Sequence, residues 1–315
     1  MNPKQANDTF LEIFMRNLTK KADRKRFVRR QREVEIREPK EPKETGQEQL
    51  DKLVGLARVK QEVKKLSNMA LLQKRRREAG KKIPSSSMHL VFTGNPGTGK
   101  TTVARVIGKI FKEIGILSKG HLIETDRAKL VGEYVGHTEK KVKTVVESAL
   151  GGVLFIDEAY ALAGGERDFG SIAIDTLIKL MEDNRDNLAV IVAGYTEPMK
   201  KFVAQNVGLQ SRFTRYITFE DYSADELYAI YKSMIESYEY RLNSGSISKA
   251  KNILHQHWLG RDYHFGNGRD VRTFFERTIE NQANRLIMDD SYTDLDTIES
   301  MDVPDDLIIN ISDGM

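Results

Sequence analysis

The segment GNPGTGKT, residues 94–101, decides the fold because it fits the pattern G-x-x-x-x-G-K-[ST]. It follows the apolar run MHLVFTG, residues 88–94, and overlaps the start of the amphipathic run TTVARVIGKIFKEIG, residues 101–115. These runs predict a strand before the segment and a helix after it. In that setting glycines let the backbone wrap around a polyphosphate, and the helix N-terminus presents N–H groups to its oxygens. The segment therefore predicts a phosphate-binding loop, or P-loop.

The expected ligands are ATP and Mg²⁺, with Lys100 reaching the β and γ phosphates and Thr101 binding the metal. Lys100 is thus expected to serve both binding and catalysis. The residues predicted to contact the nucleotide are consecutive: Asn95, Pro96, Gly97, Thr98, Gly99, Lys100, Thr101 and Thr102.

A second segment, VLFIDEAY at residues 153–160, places two acids directly after an apolar strand. In a parallel sheet these acids lie at the same edge as the P-loop, where ligands of α/β proteins bind. Asp157 is predicted to hold Mg²⁺, and Glu158 to orient and deprotonate an attacking water. The second acid favours a hydrolase over a kinase, which delivers the phosphoryl group to a substrate other than water.

Strand and helix patterns alternate from about Leu50 to Asp221, which predicts an α/β fold with a parallel sheet covered by helices on both faces. Helical patterns dominate beyond Asp221 and predict a smaller, all-helical lid domain. The expected organisation is a basic N-terminal arm and linker at 1–46, a nucleotide-binding α/β domain at 47–220, the lid at 221–303 and an acidic tail at 304–315.

Composition and missing motifs exclude several classes. The 315 residues include no cysteine, so disulfides and thiolate chemistry are excluded. The chain has no N-K-x-D guanine-binding motif, no L-S-G-G-Q transporter signature and no H-E-x-x-H zinc motif. No stretch reaches the ~20 apolar residues that span a bilayer. We therefore expect a soluble, cytoplasmic protein without a membrane span, and no metal besides Mg²⁺.

The N-terminal arm is strongly basic at residues 20–43, although the net charge of the whole chain is only +4. Phe10, Ile13, Phe14 and Leu18 share one helical face, which predicts a short amphipathic helix. The segment REPKEPKETG, residues 37–46, is expected to be an extended linker. A solvated face or tether is the favoured interpretation of the basic run, and binding of nucleic acid is the alternative.

Taken together, these features resemble the AAA+ ATPases, and within them the group that contains the stage V sporulation protein K and the red-type Rubisco activase. The similarity extends from about Leu50 to about Leu286. It is carried by KGHLIETDRAKLVGEYVGHT (119–138), GGVLFIDEAYALAGG (151–165), LAVIVAGY (188–195), GLQSRF (208–213) and GNGRDVRTFFERTIENQANRL (266–286).

The resemblance implies further nucleotide contacts. The backbone of Val54 and Gly55 would lie against the adenine. Thr196, or Tyr195 beside it, would sense the γ-phosphate. Two arginines would complete the site: Arg212, with Arg215 as the alternative, would be a finger that reaches the nucleotide of a neighbouring subunit, and Arg269, with Arg272 as the alternative, would reach back from the lid.

The resemblance also implies a ring hexamer that threads a protein client through a central pore, with sporulation as one setting. Tyr134, Val135 and Gly136 would form the loop that grips the client. The competing interpretation of Tyr134 is a tyrosine packed in its own domain. Two other functions stay open at this point: a nucleic-acid-associated ATPase that uses the basic arm, and a nucleotide-gated scaffold with slow turnover.

Overall fold

The structure, a computed structural model, describes residues 44–82, 87–134, 136–164, 169–262, 265–288 and 294–307. All elements below belong to the unit that spans Thr45–Met315. The amphipathic helix predicted at Phe10 to Leu18 and the basic run at 20–43 lie outside the described residues. So does Val135.

A five-stranded parallel sheet forms the centre of the first domain, with the strand order β2-β3-β4-β1-β5. The prediction of a parallel sheet is confirmed. The strands are short, and β1, β3 and β4 are buried along their whole length. Their bounds are β1 Leu90–Thr93, β2 Leu122–Thr125, β3 Val153–Ile156, β4 Ala189–Gly194 and β5 Tyr216–Thr218.

Alternation along the strands builds two cores, one on each face of the sheet. In β3, Leu154 and Ile156 join the core under the helices that follow β2 and β3, whereas Val153 and Phe155 join the core under the helices nearest the N-terminus. No helix of the described residues is long and apolar enough to cross a membrane. The helices of this domain are α1 Gly46–Lys52, α2 Ala57–Glu78, α3 Lys100–Glu113, α4 Arg127–Leu130, α5 His137–Ala149, α6 Gly170–Asp183, α7 Thr196–Ala204 and α8 Val207–Arg212.

Helix α1 begins inside the segment that was expected to be an extended linker. Thr45 caps it, because the Thr45 hydroxyl accepts from the N–H of Glu48 while the Glu48 carboxylate accepts from the N–H of Thr45. Gly46 is buried against Ile110 of α3, where a Cβ would come within 2.7 Å of the Ile110 side chain. A capping box and a close helix contact therefore end the linker before residue 45.

The part of the lid that the structure describes has three helices, packed around Tyr231, Leu254 and Phe274: α9 Ala224–Ser237, α10 Ser244–Leu259 and α11 Gly268–Met288. The expectation of a helical lid is confirmed, with one addition. Strands β6, Arg241–Leu242, and β7, Thr297–Ile298, pair in parallel. Two residues per strand give too weak a pattern to be seen in the sequence.

The sequence predicts an acidic tail, separate from the lid, from residue 304 onward, but residues 304–307 pack on the lid. Leu307 is buried in the lid core. Asp305 and Asp306 form ion pairs with Lys249 at 2.7 Å and Arg277 at 2.9 Å. Two acids paired with lysine and arginine, followed by a buried leucine, therefore extend the lid to at least residue 307.

His89, next to β1, is a buried neutral histidine. Its Nδ1 accepts a hydrogen bond from the N–H of Val190 at 3.0 Å, so its proton is on Nε2. Burial lowers the pKa of His89 to about 4, against the hydrogen bond to the Met181 backbone, which favours the charged form; the nearby Arg212 lowers the pKa further. Because the folded-state pKa lies below that of an unfolded histidine, the unfolded chain binds more protons, and stability falls as the pH drops.

We expect this histidine to lower the free energy of unfolding by about 2 kcal/mol between pH 7.5 and pH 5, since the unfolded group titrates near 6.5 and the folded group near 4. His89→Asn keeps an acceptor for Val190 and has no titrating group. Urea unfolding of both proteins at several pH values measures the effect. Parallel pH dependence in the parent and the variant would contradict it, whatever their absolute stabilities.

Candidate functional site

A cleft of about 480 Å³ opens where β1, β3 and β4 end, between the sheet and the lid. It brings together residues that are far apart in the chain. The P-loop and the acid pair contribute one wall, and the turn before α2 and the lid contribute the other. The residues that line the cleft include Val54, Leu56, Gly97, Lys100, Thr101, Thr102, Asp157, Glu158, Tyr195, Ile230, Met234, Arg269 and Arg272.

The P-loop glycines are required by neighbouring protein as well as by backbone conformation. Gly94, Gly97 and Gly99 have φ values of 147°, 71° and 91°, which side chains rarely adopt. A Cβ at Gly94 would collide with the carbonyl oxygen of Phe219, and one at Gly97 with that of Gly266. The loop is thus packed between the end of β5 and the start of α11. The N-terminus of α3 has no side-chain cap, so its N–H groups are available to an anion.

Lys100 is held over this loop. Its Nζ donates to the carbonyl oxygens of Gly94 at 2.9 Å and Asn95 at 2.7 Å. Burial lowers its pKa to about 8; the charge of Asp157 opposes this shift, and that of Arg269 adds to it. A half-buried ammonium with an arginine nearby is a place where a polyphosphate would be stabilised by charge.

The two acids lie at the end of β3, as predicted. The N–H of Asp157 donates to the carbonyl oxygen of Thr125 at 2.9 Å, which fixes the backbone there. Glu158 has a left-handed φ of 48°, and its N–H donates to Oδ1 of Asp157. Thr101, in the first turn of α3, lines the same cleft. Hydroxyl and carboxylate oxygens are the ligands that Mg²⁺ prefers, so Thr101 and Asp157 fit the predicted metal.

The apolar end of the cleft is shaped by a strained turn before α2. Gly55 and Leu56 both have left-handed φ values, 60° and 57°, and a leucine in this conformation costs roughly 1–2 kcal/mol. Val54 and Leu56 line the cleft opposite Ile230 and Met234 of the lid. Gly55 does not line it, because its Cα faces the Glu226 carboxylate.

The structure shows which of the predicted nucleotide-contacting residues line the cleft. Tyr195 lines the cleft, whereas Thr196 begins α7 and does not. Both lid arginines, Arg269 and Arg272, line it from the first turns of α11. Thr98 is fully buried, and its hydroxyl donates to the Asn95 carbonyl oxygen at 2.8 Å, so it stabilises the loop from within.

Arg212 lies outside this cleft. It ends α8 and forms an ion pair with Glu182 at 3.1 Å, with the arginine side chain about 30% exposed. Arg212 and Arg215 both line a different cavity, of about 780 Å³. Arg215 packs its guanidinium against the sulfur of Met69. Neither candidate finger reaches the nucleotide cleft of its own subunit.

Tyr134 is 65% exposed, and its only ring contact among the described residues is with His137, edge-on at 5.7 Å. The alternative of a core tyrosine is therefore wrong. Gly136, with φ 85°, precedes α5, and a Cβ built there would meet nothing within 4 Å. The tyrosine projects from an open loop.

Sequence reasoning missed the lid side of the cleft and the contacts between the lid and the P-loop. Ile230, Ser233 and Met234 have i, i+3, i+4 spacing, which in a sequence cannot be told from a core-facing stripe. Asp221 and Asn267, which bridge the P-loop to the lid, have no sequence signal. Only the tertiary structure brings these residues to the site.

The cleft combines a P-loop, an acid pair at a strand end and arginines from a helical lid. This combination defines the class of P-loop nucleoside triphosphatases that have a helical lid domain. The sequence comparisons specify the family. Residues 90–221 match the ATPase family associated with various cellular activities (AAA), and residues 223–309 match the AAA lid domain. The chain belongs to the AAA ATPase family, and it is an ATP-hydrolysing enzyme.

Similar proteins cover most of the chain. The chain is 48% identical over 261 residues to stage V sporulation protein K of Bacillus subtilis (strain 168), covering 82% of this chain and 81% of that protein. It is 41% identical over 238 residues to the chloroplastic ribulose bisphosphate carboxylase/oxygenase activase of Cyanidioschyzon merolae, covering 74% and 80%. The AAA domain of FIGL-1 in complex with ADP has the same fold, with a TM-score of 0.56 and 17% identity over 80% of each chain.

We expect Glu158→Gln to bind ATP at close to parent affinity and to lose hydrolysis, because the amide keeps the size of the side chain but cannot accept a proton. Lys100→Ala should lose nucleotide binding, since it removes the positive charge held at the P-loop. Binding of a fluorescent ATP analogue and phosphate release measure the two effects separately. Hydrolysis by Glu158→Gln at the parent rate would rule out Glu158 as the base.

Proposed function

We propose that this ATPase is a protein-remodelling motor: a ring hexamer in which ATP hydrolysis drives movement of a client polypeptide through a central pore. The observation that carries the proposal is the pairing of an exposed loop tyrosine with a candidate arginine finger that lies away from its own nucleotide cleft. The first feature offers a surface that a client can contact, and the second leaves an arginine that can act on the nucleotide of a neighbouring subunit.

The chemistry follows from the residues in the cleft. Lys100 and Arg269 bind the phosphates of ATP, and Thr101 and Asp157 would hold Mg²⁺, which neutralises charge on the phosphate oxygens. Glu158 accepts a proton from water as the water oxygen attacks the γ-phosphorus. The bond from that phosphorus to the bridging oxygen breaks, and ADP and phosphate are released.

The position of Arg212 supports the proposal of assembly, because its guanidinium does not line the cleft of its own subunit. Glu182 shares its two carboxylate oxygens between Arg212 and Arg185, at 3.1 and 2.6 Å, and so holds the end of α8 on α6. A finger acting on the nucleotide of the next subunit would make every active site a subunit interface, and head-to-tail interfaces of this kind form a ring when the rotation between subunits closes.

For this role, Arg212→Ala should lower kcat by much of the ~10³ to 10⁵-fold that an arginine finger contributes, while each subunit still binds ATP. Mixtures with Glu158→Gln subunits should recover some activity, since some interfaces then have both groups intact. Arg77→Ala, which removes an exposed arginine from the same cavity, is the matched control and should hydrolyse ATP normally. Full activity of Arg212→Ala alone would refute the role in trans.

The loop of Tyr134, Val135 and Gly136 is proposed to grip the client. An exposed ring in a loop that ends at a glycine with open space around it gives an aromatic surface that can pack on many side chains. The relatives named for sporulation and for activation of ribulose bisphosphate carboxylase/oxygenase differ in setting, so the proposal concerns the remodelling activity and leaves the client to experiment.

Tyr134→Ala should melt within a few degrees of the parent and keep basal ATPase activity, because a side chain 65% exposed contributes little to stability. It should lose client-stimulated hydrolysis and remodelling, whereas Tyr134→Phe should keep most of both. Tyr238→Ala is the control, since Tyr238 in the lid is equally exposed at 66%. Clients trapped on Glu158→Gln rings supply the substrate. Normal remodelling by Tyr134→Ala would end the threading proposal.

A further inference from the structure

Asn267, just before α11, is a buried residue with a left-handed φ of 53°. Its side chain uses both of its polar atoms. Oδ1 accepts from the N–H of Tyr222 at 2.9 Å, and Nδ2 donates to Oδ1 of Asp221 at 2.8 Å and to the Pro96 carbonyl oxygen at 3.3 Å. One side chain of the lid thus touches the P-loop and the connection between the two domains.

Asp221, in that connection, is the acceptor that joins the three segments. Both of its carboxylate oxygens accept from Nδ2 of Asn95 in the P-loop, at 3.0 Å, while Asn267 approaches from the lid. A backbone hydrogen bond from Gly268 to the carbonyl oxygen of Gly97, at 3.1 Å, lies alongside. The carboxylate is therefore shared between a donor from the nucleotide loop and a donor from the lid.

The residue type is informative at position 267. Glycine would meet the left-handed conformation at the lowest cost, and asparagine also tolerates it. Asparagine adds an acceptor and two donors in fixed positions, and here both kinds of atom are used. Since the side chain is buried, a donor or acceptor left without a hydrogen-bond partner at this position would cost free energy.

We propose that Asn267 and Asp221 form a latch that positions the lid on the P-loop, so that Arg269 points into the cleft. Arg269 follows Asn267 by two residues in the first turn of α11, and a shift of Asn267 carries Arg269 with it. Asn267 does not touch the nucleotide and is a positioning residue. Through Asn95 and Pro96, the conformation of the loop that binds the phosphates is tied to the position of the lid.

The test exchanges the two side chains. Asn267→Asp keeps the size of the side chain and tolerates the left-handed backbone, but it places two carboxylates against each other. Asp221→Asn replaces one acceptor oxygen with an NH2 group, which faces the donors of Asn95 and Asn267. Each single variant should bind ADP about 10-fold more weakly and hydrolyse ATP about 10-fold more slowly than the parent. The double variant Asp221→Asn/Asn267→Asp restores one donor and one acceptor to the pair but not the donation to the Pro96 carbonyl oxygen. It should therefore recover in part, to within about 3-fold of the parent.

Two further variants separate positioning from folding. Asn267→Gly keeps the backbone conformation without the side chain, and should show the same loss as Asn267→Asp if the contacts matter. Asn281→Asp, the control, removes a donor that serves only the lid, to the Asp302 carbonyl oxygen at 3.0 Å, and should leave ADP affinity unchanged.

ADP affinity by calorimetry, kcat and melting temperature are measured on all five variants and the parent. Rescue in the double variant together with loss in both singles supports the latch. ADP affinity and kcat within 2-fold of the parent in Asn267→Asp would overturn it. A lowered melting temperature without a change in affinity or kcat would also overturn it, because the residue would then be purely structural.

Discussion

The approach of the P-loop to the lid at Gly97 and Gly266 is the contact on which the rest of the site depends. A Cβ at Gly97 would collide with the Gly266 carbonyl oxygen, so the two backbones meet only because a glycine is there. This contact brings the first turn of α11 to the P-loop and so forms the lid side of the cleft. Both lid arginines owe their place in the cleft to it.

Electrostatics in this closed cleft favour an anion. Burial and the neighbouring Arg269 both lower the pKa of Lys100, while the carboxylates of Asp157, Asp221 and Glu158 raise it. A polyphosphate would stabilise the ammonium further, and Mg²⁺ would offset the carboxylates. The cations Lys100 and Arg269 would complement the phosphates of a nucleotide, and the carboxylates would complement its metal ion.

Backbone strain is concentrated at the same place. Of the four residues other than glycine with positive φ in the described part of the chain, Leu56 and Glu158 line the cleft and Asn267 lies at the lid junction. Such conformations cost free energy, and they persist where the surroundings determine them. Leu56 borders the apolar end of the cleft, Glu158 is the predicted general base, and Asn267 lies where the lid meets the P-loop. Nucleotide binding thus acts on a site that folding has already constrained.

The sequence by itself determined the parallel sheet, the P-loop and the acid pair, because each depends on a local pattern: apolar runs of strand length, glycine spacing and carboxylates at a strand end. It also restricted the arginine candidates to a few positions. It could not determine that Tyr195 rather than Thr196 reaches the cleft, that Ile230 and Met234 complete it, or that Asp221 and Asn267 join the lid to the P-loop. Those contacts join residues up to 171 positions apart. Only the packing of the lid on the sheet decides which side chains meet, because a helix presents the same apolar spacing to a ligand as to a core.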